Sequence, residues 1–348
     1  MSHRAIIARI IGVIVLLTFI HTRRSYTVES PLTIEQVTFY SKESGNSTKK
    51  IARRGVIVRH PNARATLVVS HGFTCNRFDG GVLCALFNRR ECPLNFMSFD
   101  FRAHGTDVDE EQCCTLGHDE AFDVLGAVEF LKSDPELSKL PRIGYGFSMG
   151  AVAELQAQSQ DKSAFVAIIA DCPFKSNLDI IRRGLARLKF SIFGYEFTIP
   201  GTSILERYAF HPYVQPILRA LFKAFANMDT RDINTRLSPV SALDAVKKIR
   251  VPLLFIACKN DETVPASDVQ DIYANAPGYK RLWITNGRRH FDSLFYNPET
   301  YINRVLTFID TVLDKKYLHE PRTGELYDPD EPKLSVRGRG QWHARVGR

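Results

Sequence analysis

Gly146-Phe147-Ser148-Met149-Gly150 is the stretch on which the reading of this chain turns. It is a G-x-S-x-G pentapeptide. Before it, Pro141-Arg142-Ile143-Gly144-Tyr145 reads as a short buried strand; after it, Ala151-Val152-Ala153-Glu154-Leu155-Gln156-Ala157 is a good helix former. A serine on such a strand-to-helix turn is held in a strained backbone conformation that lifts its hydroxyl clear of the sheet. The flanking glycines leave room for the neighbouring strand and helix. Ser148 is also expected at a helix N-terminus, where unpaired N–H groups favour developing negative charge.

A hydroxyl is a weak nucleophile at neutral pH and needs an adjacent base, which in turn needs an orienting acid. Downstream, Val251-Pro252-Leu253-Leu254-Phe255-Ile256-Ala257-Cys258 is a continuous apolar run, as expected of a parallel strand buried on both faces. It ends in a polar loop that carries Asp261. A helix is expected over Ala266–Asn275 and a strand over Lys280–Thr285, followed by the loop Asn286-Gly287-Arg288-Arg289-His290-Phe291-Asp292. Of the ten histidines, His290 alone follows a late strand. Ser148, Asp261 and His290 are therefore the candidate catalytic residues. Asp171, at the end of the strand-like Ile168-Ile169-Ala170-Asp171, is a rival acid, with a loop-capping role as the simpler reading.

An oxyanion needs two preorganised N–H donors. Met149, next to the nucleophile, supplies one. Phe73 supplies the other, because Thr66-Leu67-Val68-Val69-Ser70-His71-Gly72-Phe73 reads as an apolar strand running into a His-Gly-Phe loop. His71 itself is read as structural, since no reaction step is left without a base.

Together these motifs resemble the α/β-hydrolases, in particular the branch of serine aminopeptidases and monoacylglycerol-lipase-like esterases. The resemblance runs from about Val37 to Leu313. It is carried by His71-Gly72-Phe73, by Phe99-Asp100-Phe101-Arg102-Ala103-His104-Gly105, by the pentapeptide, by Ala170-Asp171-Cys172-Pro173-Phe174, and by Lys259-Asn260-Asp261-Glu262-Thr263-Val264-Pro265 with Arg289-His290. It implies an α/β fold with a mostly parallel central sheet, helices on both faces and an inserted helical cap. It also implies the order Ser, Asp, His and no cofactor or metal. The sequence departs from the branch at Cys172 and Cys258, where small residues are common, and at Arg288-Arg289, which is bulky and basic. The cysteines read as small core residues. The arginines read as solvated, with an anionic group near the site as the alternative.

The ends of the chain differ from its middle. Ala5–Ile20 is apolar apart from Arg9; as a helix it would span about 24 Å, short of a ~30 Å hydrocarbon core. An uncleaved N-terminal membrane anchor within residues 1–25 is expected, with a cleaved signal or a buried or surface helix as alternatives. Arginines on both sides leave its orientation open. Residues 1–64 hold 11 Lys and Arg against 3 Asp and Glu, leaving 35 of each sign in a chain whose totals are 46 and 38. The net charge of +8 thus sits in and just after this segment, where it suits anionic lipid headgroups or an ordinary solvated surface. No nucleic-acid motif accompanies it. The seven cysteines show no metal-ligand spacing; thiols are expected, with one or two disulfides among the five from Cys75 to Cys114 as the exported alternative. Residues 316–348 are polar and proline-containing and are expected to be disordered or loosely docked.

Residues 26–315 are expected to form the hydrolase domain, with the cap at about 175–236. Asn177–Leu188 and Val214–Phe225 have helical spacing and enclose an aromatic-rich stretch, Phe190–Phe197, with Tyr208, Phe210 and Tyr213 beyond it. An apolar cap over a serine nucleophile points to a small-molecule acyl ester or thioester with a hydrophobic portion. Two alternatives stay open. A peptidase would need a cap acid for the amino terminus, for which Glu196 and Glu206 are candidates. An inactive membrane-associated interaction protein would need no working nucleophile.

Overall fold

A computed structural model describes residues 32–88, 93–105, 112–187, 189–192, 195–198, 202–218, 220 and 235–328. The expected anchor at residues 1–25 lies outside them. Among the described residues, no helix is long and apolar enough to cross a membrane.

The frame is a nine-stranded sheet. Its strands are β1 (Thr33–Lys42), β2 (Lys50–Arg59), β3 (Ala65–Ser70), β4 (Leu94–Phe99), β5 (Arg142–Phe147), β6 (Ala167–Asp171), β9 (Leu253–Cys258), β10 (Lys280–Thr285) and β11 (Thr323–Tyr327). They lie in the order β1-β2-β4-β3-β5-β6-β9-β10-β11. β1 pairs antiparallel with β2, and β2 antiparallel with β4; every later pairing is parallel. The central strands β3, β4, β6 and β9 are buried at every position. That is why they read as largely apolar rather than strictly alternating, with the few polar residues such as Asn95 and Ser98 buried too.

Alternate residues of these strands feed two apolar layers. Val68, Ile168 and Phe255 pack with α2 (Glu120–Ser133), α3 (Met149–Gln160), α6 (Ala242–Val246) and α7 (Ala266–Asn275). Leu67, Val69, Tyr145 and Ile256 pack with α1 (Asp79–Asn88) and α9 (Pro298–Leu313). With helices on both faces of a mostly parallel sheet, this is the expected fold class.

The insertion holds a hairpin as well as helices. α4 (Asn177–Arg187) and α5 (Thr202–Arg207) are helices, but Lys189–Ile192 and Tyr195–Thr198 form an antiparallel hairpin, β7–β8, across the aromatic stretch. Phe190 and Ile192, then Tyr195 and Phe197, alternate about Gly194, which is the strand period rather than the helical one. Ile181, Leu185, Ala209 and Leu218 form a small core of the cap's own, with Phe210 and Val214 against it. Phe210 therefore packs within the cap, whereas Tyr208 and Tyr213 are exposed. Half of the second expected cap helix, 219 and 221–225, lies outside the described residues.

The C-terminal segment also departs from expectation. After a short 3-10 turn at Lys316–Leu318, Thr323–Tyr327 adds to the sheet edge as β11, in register Lys280↔Thr323 to Ile284↔Tyr327. The Asp328 carboxylate accepts from Trp283 Nε1 (2.8 Å) and from the Asn286 N–H (3.1 Å). The strand is held by backbone pairing with almost every side chain exposed, so it carries no apolar periodicity to read.

Candidate active site

Ser148 sits where β5 turns into α3. Its backbone has φ +50° and ψ −111°, a conformation costly for any residue with a Cβ and sustained by the surroundings. Its N–H donates to the Asp171 carbonyl (2.8 Å), which ties the turn to the end of β6. A Cβ on Gly146 would come within 2.5 Å of the Ala151 backbone, and one on Gly150 would collide with the Ser70 carbonyl. Helix and strand approach too closely for side chains at either position, the physical content of the G-x-S-x-G pattern.

The loop after β10 brings His290 to this serine. His290 Nε2 is 2.9 Å from Ser148 Oγ, and Nδ1 is 2.6 Å from Asp261 Oδ2. The other Asp261 oxygen accepts the N–H groups of Thr263 (2.8 Å) and Val264 (2.9 Å). Asp261 is buried, while Ser148 and His290 are partly exposed. The three residues singled out in the sequence thus form one hydrogen-bonded chain, with its orienting acid fixed and its hydroxyl end accessible.

The rival acid is engaged elsewhere. Asp171 Oδ2 accepts from Tyr301 Oη (2.7 Å), and Tyr301 Oη in turn accepts from Tyr145 Oη (2.6 Å). With Nδ1 on Asp261 and Nε2 on Ser148, His290 has no nitrogen left for Asp171. Burial pushes the Asp171 carboxyl up to about 6. No sequence signal linked Tyr145 and Tyr301 to this acid, because the contacts join β5, β6 and α9 across 130 and 156 residues.

His71 organises the loop that follows β3. The Phe101 N–H donates to His71 Nε2 (3.1 Å), so the ring proton is on Nδ1, which donates to the Gly72 carbonyl (2.7 Å). In the trans peptide between Gly72 and Phe73, the N–H points opposite to the carbonyl. Clamping the Gly72 oxygen therefore sets the direction of the Phe73 N–H. A Cβ added at Gly72 would lie 3.8 Å from Ser148 Cβ, so this loop packs directly on Ser148. Met149 is the first residue of α3, where an N–H has no intrahelical acceptor. Burial holds the His71 ring down at about 3, so it is neutral under ordinary conditions.

Beneath this loop, the Asp100–Gly105 segment is scaffold. Asp100 accepts from the Arg77 backbone N–H (2.6 Å) and is paired with the Arg77 guanidinium. Arg102 donates from Nε (3.0 Å) and Nη2 (2.9 Å) to the two oxygens of buried Asp123, and from its other N–H groups to the carbonyls of Glu43 and Lys42. Gly105 has φ +88°, and a Cβ there would collide with the Asp100 carboxylate.

The two departures from the branch pattern are accounted for. Cys172 and Cys258 are buried thiols at the ends of β6 and β9, and Cys258 Sγ lies 3.0 Å from Ser293 Oγ. Cys172, Asp261 and His290 have donor atoms within 4.8 Å of one another. The His290 nitrogens and Asp261 oxygens are already paired, so this set reads as the Ser–His–Asp chain with a thiol beside it. Arg288 and Arg289 are exposed; Arg288 donates from its backbone N–H (3.0 Å) and Nε (3.1 Å) to buried Asp292. Among the described residues no two cysteines are joined in a disulfide, and Cys92 lies outside them.

Comparison with known structures gives this architecture its place. The esterase Pf2001 of Pyrococcus furiosus superposes with a TM-score of 0.57 at 22% identity, over 83% of this chain and 98% of that one. The α/β hydrolase GrgF from Penicillium sp. sh18 superposes at 0.55 and 19% identity, over 81% and 100%. The chain has the α/β-hydrolase fold. An acetyl xylan esterase from Paenibacillus sp. R4 shares this α/β-hydrolase architecture at a TM-score of 0.54 and 16% identity, over 82% of this chain and 86% of that one. In sequence, the uncharacterized protein YqkD of Bacillus subtilis (strain 168) is 28% identical over 252 residues, 72% of each chain. No family model matches the chain.

Proposed function

We propose that this protein is a serine hydrolase that cleaves an acyl ester or thioester with a hydrophobic portion through an acyl-enzyme. The observation that carries the proposal is the chain Ser148 Oγ–His290–Asp261, with contacts of 2.9 and 2.6 Å. His290 Nε2 takes the hydroxyl proton as Oγ attacks the acyl carbon. Asp261 accepts from Nδ1–H, which keeps the ring in that tautomer and stabilises the imidazolium. The N–H groups of Phe73 and Met149 receive the developing oxyanion, at the positive end of α3. The proton on Nε2 then passes to the leaving group. Water, deprotonated by the same nitrogen, releases the acyl group.

The peptidase reading has lost one of its candidate cap acids. Glu206 accepts from Arg182 Nε (2.7 Å) and Nη2 (2.6 Å), so its charge is already paired. An inactive scaffold would have no use for the strained Ser148 backbone. Membrane attachment through the apolar segment Ala5–Ile20 belongs to this proposal on sequence grounds. It is tested by whether the full chain sediments with membranes and deletion of residues 1–25 releases it. A panel of p-nitrophenyl esters, acyl thioesters and aminoacyl anilides tests the reaction. Turnover of esters or thioesters that Ser148→Ala abolishes supports the reading; turnover confined to aminoacyl anilides would replace it with the peptidase.

A further inference from the structure

A cavity of about 70 Å³ lies on the α1 side of the sheet, against the catalytic loops. Its walls are chain neighbours of the catalytic groups. Phe147 precedes Ser148, Phe291 follows His290, and His71 and Gly72 precede Phe73. The remaining wall is mainly apolar, with Leu83 of α1 and Leu294 of α8 (Ser293–Tyr296) both buried. The rings of Phe147 and Phe291 meet edge to face at 4.6 Å, and Phe291 and Phe295 at 6.1 Å. This aromatic wall runs from beside the nucleophile to the surface, where Phe295 is 58% and Val82 36% exposed. Phe291 holds its place at φ +63°, a left-handed backbone that is costly for a phenylalanine and is sustained by its surroundings. Among the described residues that line the cavity, none comes from the cap.

Resting on the serine-hydrolase reading above, we infer that this cavity is the subsite for the acyl chain of the substrate, and that it holds about the first six carbons of that chain. Its walls are apolar apart from His71, Cys75 and Asp79, whose carboxylate accepts the Asn76 N–H (2.7 Å), and they suit a hydrocarbon chain. At roughly 10–15 Å³ per water-sized position, it takes about five non-hydrogen atoms, and a longer chain emerges past Val82 and Phe295. The acyl group stays on Ser148 through both half-reactions, whereas the leaving group must depart before water can attack. A pocket sunk beside the nucleophile therefore serves the acyl portion. Gly72 separates the cavity from the serine: a Cβ there would lie 3.8 Å from Ser148 Cβ and 3.9 Å from Cys75 Sγ, another wall atom.

The test measures kcat/KM in two series: p-nitrophenyl esters from acetyl to dodecanoyl, and acetate esters of alcohols from ethyl to dodecyl. Wild type, Leu83→Phe (which fills the floor) and Val82→Trp (which narrows the exposed rim without touching the core) are compared, and each is labelled with a fluorophosphonate. With wild type, the acyl series rises about four-fold per methylene to about hexanoyl and then flattens. In Leu83→Phe the hexanoyl-to-acetyl ratio falls at least ten-fold, in Val82→Trp the dodecanoyl-to-hexanoyl ratio falls at least ten-fold, and in both the alcohol series changes less than two-fold. A flat acyl series, an unchanged dodecanoyl-to-hexanoyl ratio in Val82→Trp, or a change confined to the alcohol series overturns the inference while Ser148 labelling leaves the hydrolase reading standing. Absence of labelling in wild type overturns both.

Discussion

Replacing Asp261 by Asn should cripple the site without disturbing the fold, for a reason the hydrogen bonds make explicit. Asp261 Oδ1 accepts two backbone N–H groups, from Thr263 at 2.8 Å and Val264 at 2.9 Å. In the variant the amide oxygen must take that place, because the NH2 group there would face two donors. The NH2 group then faces His290 Nδ1, where Asp261 Oδ2 stood 2.6 Å away. It can only donate, so Nδ1 becomes an acceptor and the ring proton moves to Nε2. A protonated Nε2, 2.9 Å from Ser148 Oγ, cannot take the hydroxyl proton. Flipping the amide restores the tautomer but leaves two buried N–H groups unpaired, at about 1–3 kcal/mol each. The competent orientation is thus disfavoured by about 2–6 kcal/mol, and kcat should fall roughly 10²–10⁴-fold, in line with the loss expected when a triad histidine is held in the wrong tautomer. Turnover of a p-nitrophenyl ester and the rate of fluorophosphonate labelling measure this, with thermal unfolding as the control for folding. Activity within ten-fold of wild type in a folded Asp261→Asn protein would refute the argument.

Other outcomes are expected. His71→Phe removes the clamp on the Gly72 carbonyl and orphans the Phe101 N–H, so stability should fall by about 1–3 kcal/mol, and kcat by up to about 10²-fold with KM little changed, read by steady-state kinetics and denaturant unfolding. The same residue contributes to acid sensitivity. Its folded value of about 3 lies below the ordinary 6.5, so its stabilising contribution is complete above about pH 6.5 and is lost as pH falls toward 3; His71→Phe should flatten that limb of the stability curve. Asp171 acts with the opposite sign. Its carboxyl is raised to about 6 by burial, so between pH 4 and 6 the native state binds the extra proton and stability from this group falls as pH rises. At 1.36 kcal/mol per pKa unit the cost reaches about 3 kcal/mol at neutral pH, and Asp171→Asn should remove most of that slope in unfolding measured from pH 4 to 7. Gly146→Ala forces a Cβ to 2.5 Å from the Ala151 backbone and should prevent accumulation of soluble folded protein, measured by expression and circular dichroism.

The parts of the fold that were legible in the sequence are those whose cause is local. The strand-turn-helix around Ser148 declares itself because two glycines are forced by contacts within a few residues and with the adjoining strand. β9 declares itself because a strand covered on both faces must be almost wholly apolar, and β10 through its apolar centre Leu282-Trp283-Ile284. Asp261 and His290 were found because each ends or follows such a strand. What stayed hidden depends on distant partners. β11 carries exposed side chains, so nothing in Thr323–Tyr327 announces that β10 pairs with it. The β7–β8 hairpin was hidden among aromatic residues whose alternation was outweighed by the helical spacing on either side. Asp171 looked like a possible triad acid until Tyr301, 130 residues away, was found to hold it. The cavity beside Phe147 and Phe291 depends on three loops and α1 meeting in space, and no linear pattern encodes it. His71 was read as structural from the absence of any task for it; its two bonds now give it one, the orientation of the Phe73 peptide.

The central claim is that Ser148 is an activated nucleophile. It is tested most directly by reacting the full-length protein with a fluorophosphonate and locating the adduct by peptide mass spectrometry. The account predicts a single stoichiometric adduct on Ser148, lost in Ser148→Ala and slowed in Asp261→Asn. An unlabelled wild-type protein, or a Ser148→Ala protein that still hydrolyses esters at the wild-type rate, would contradict it.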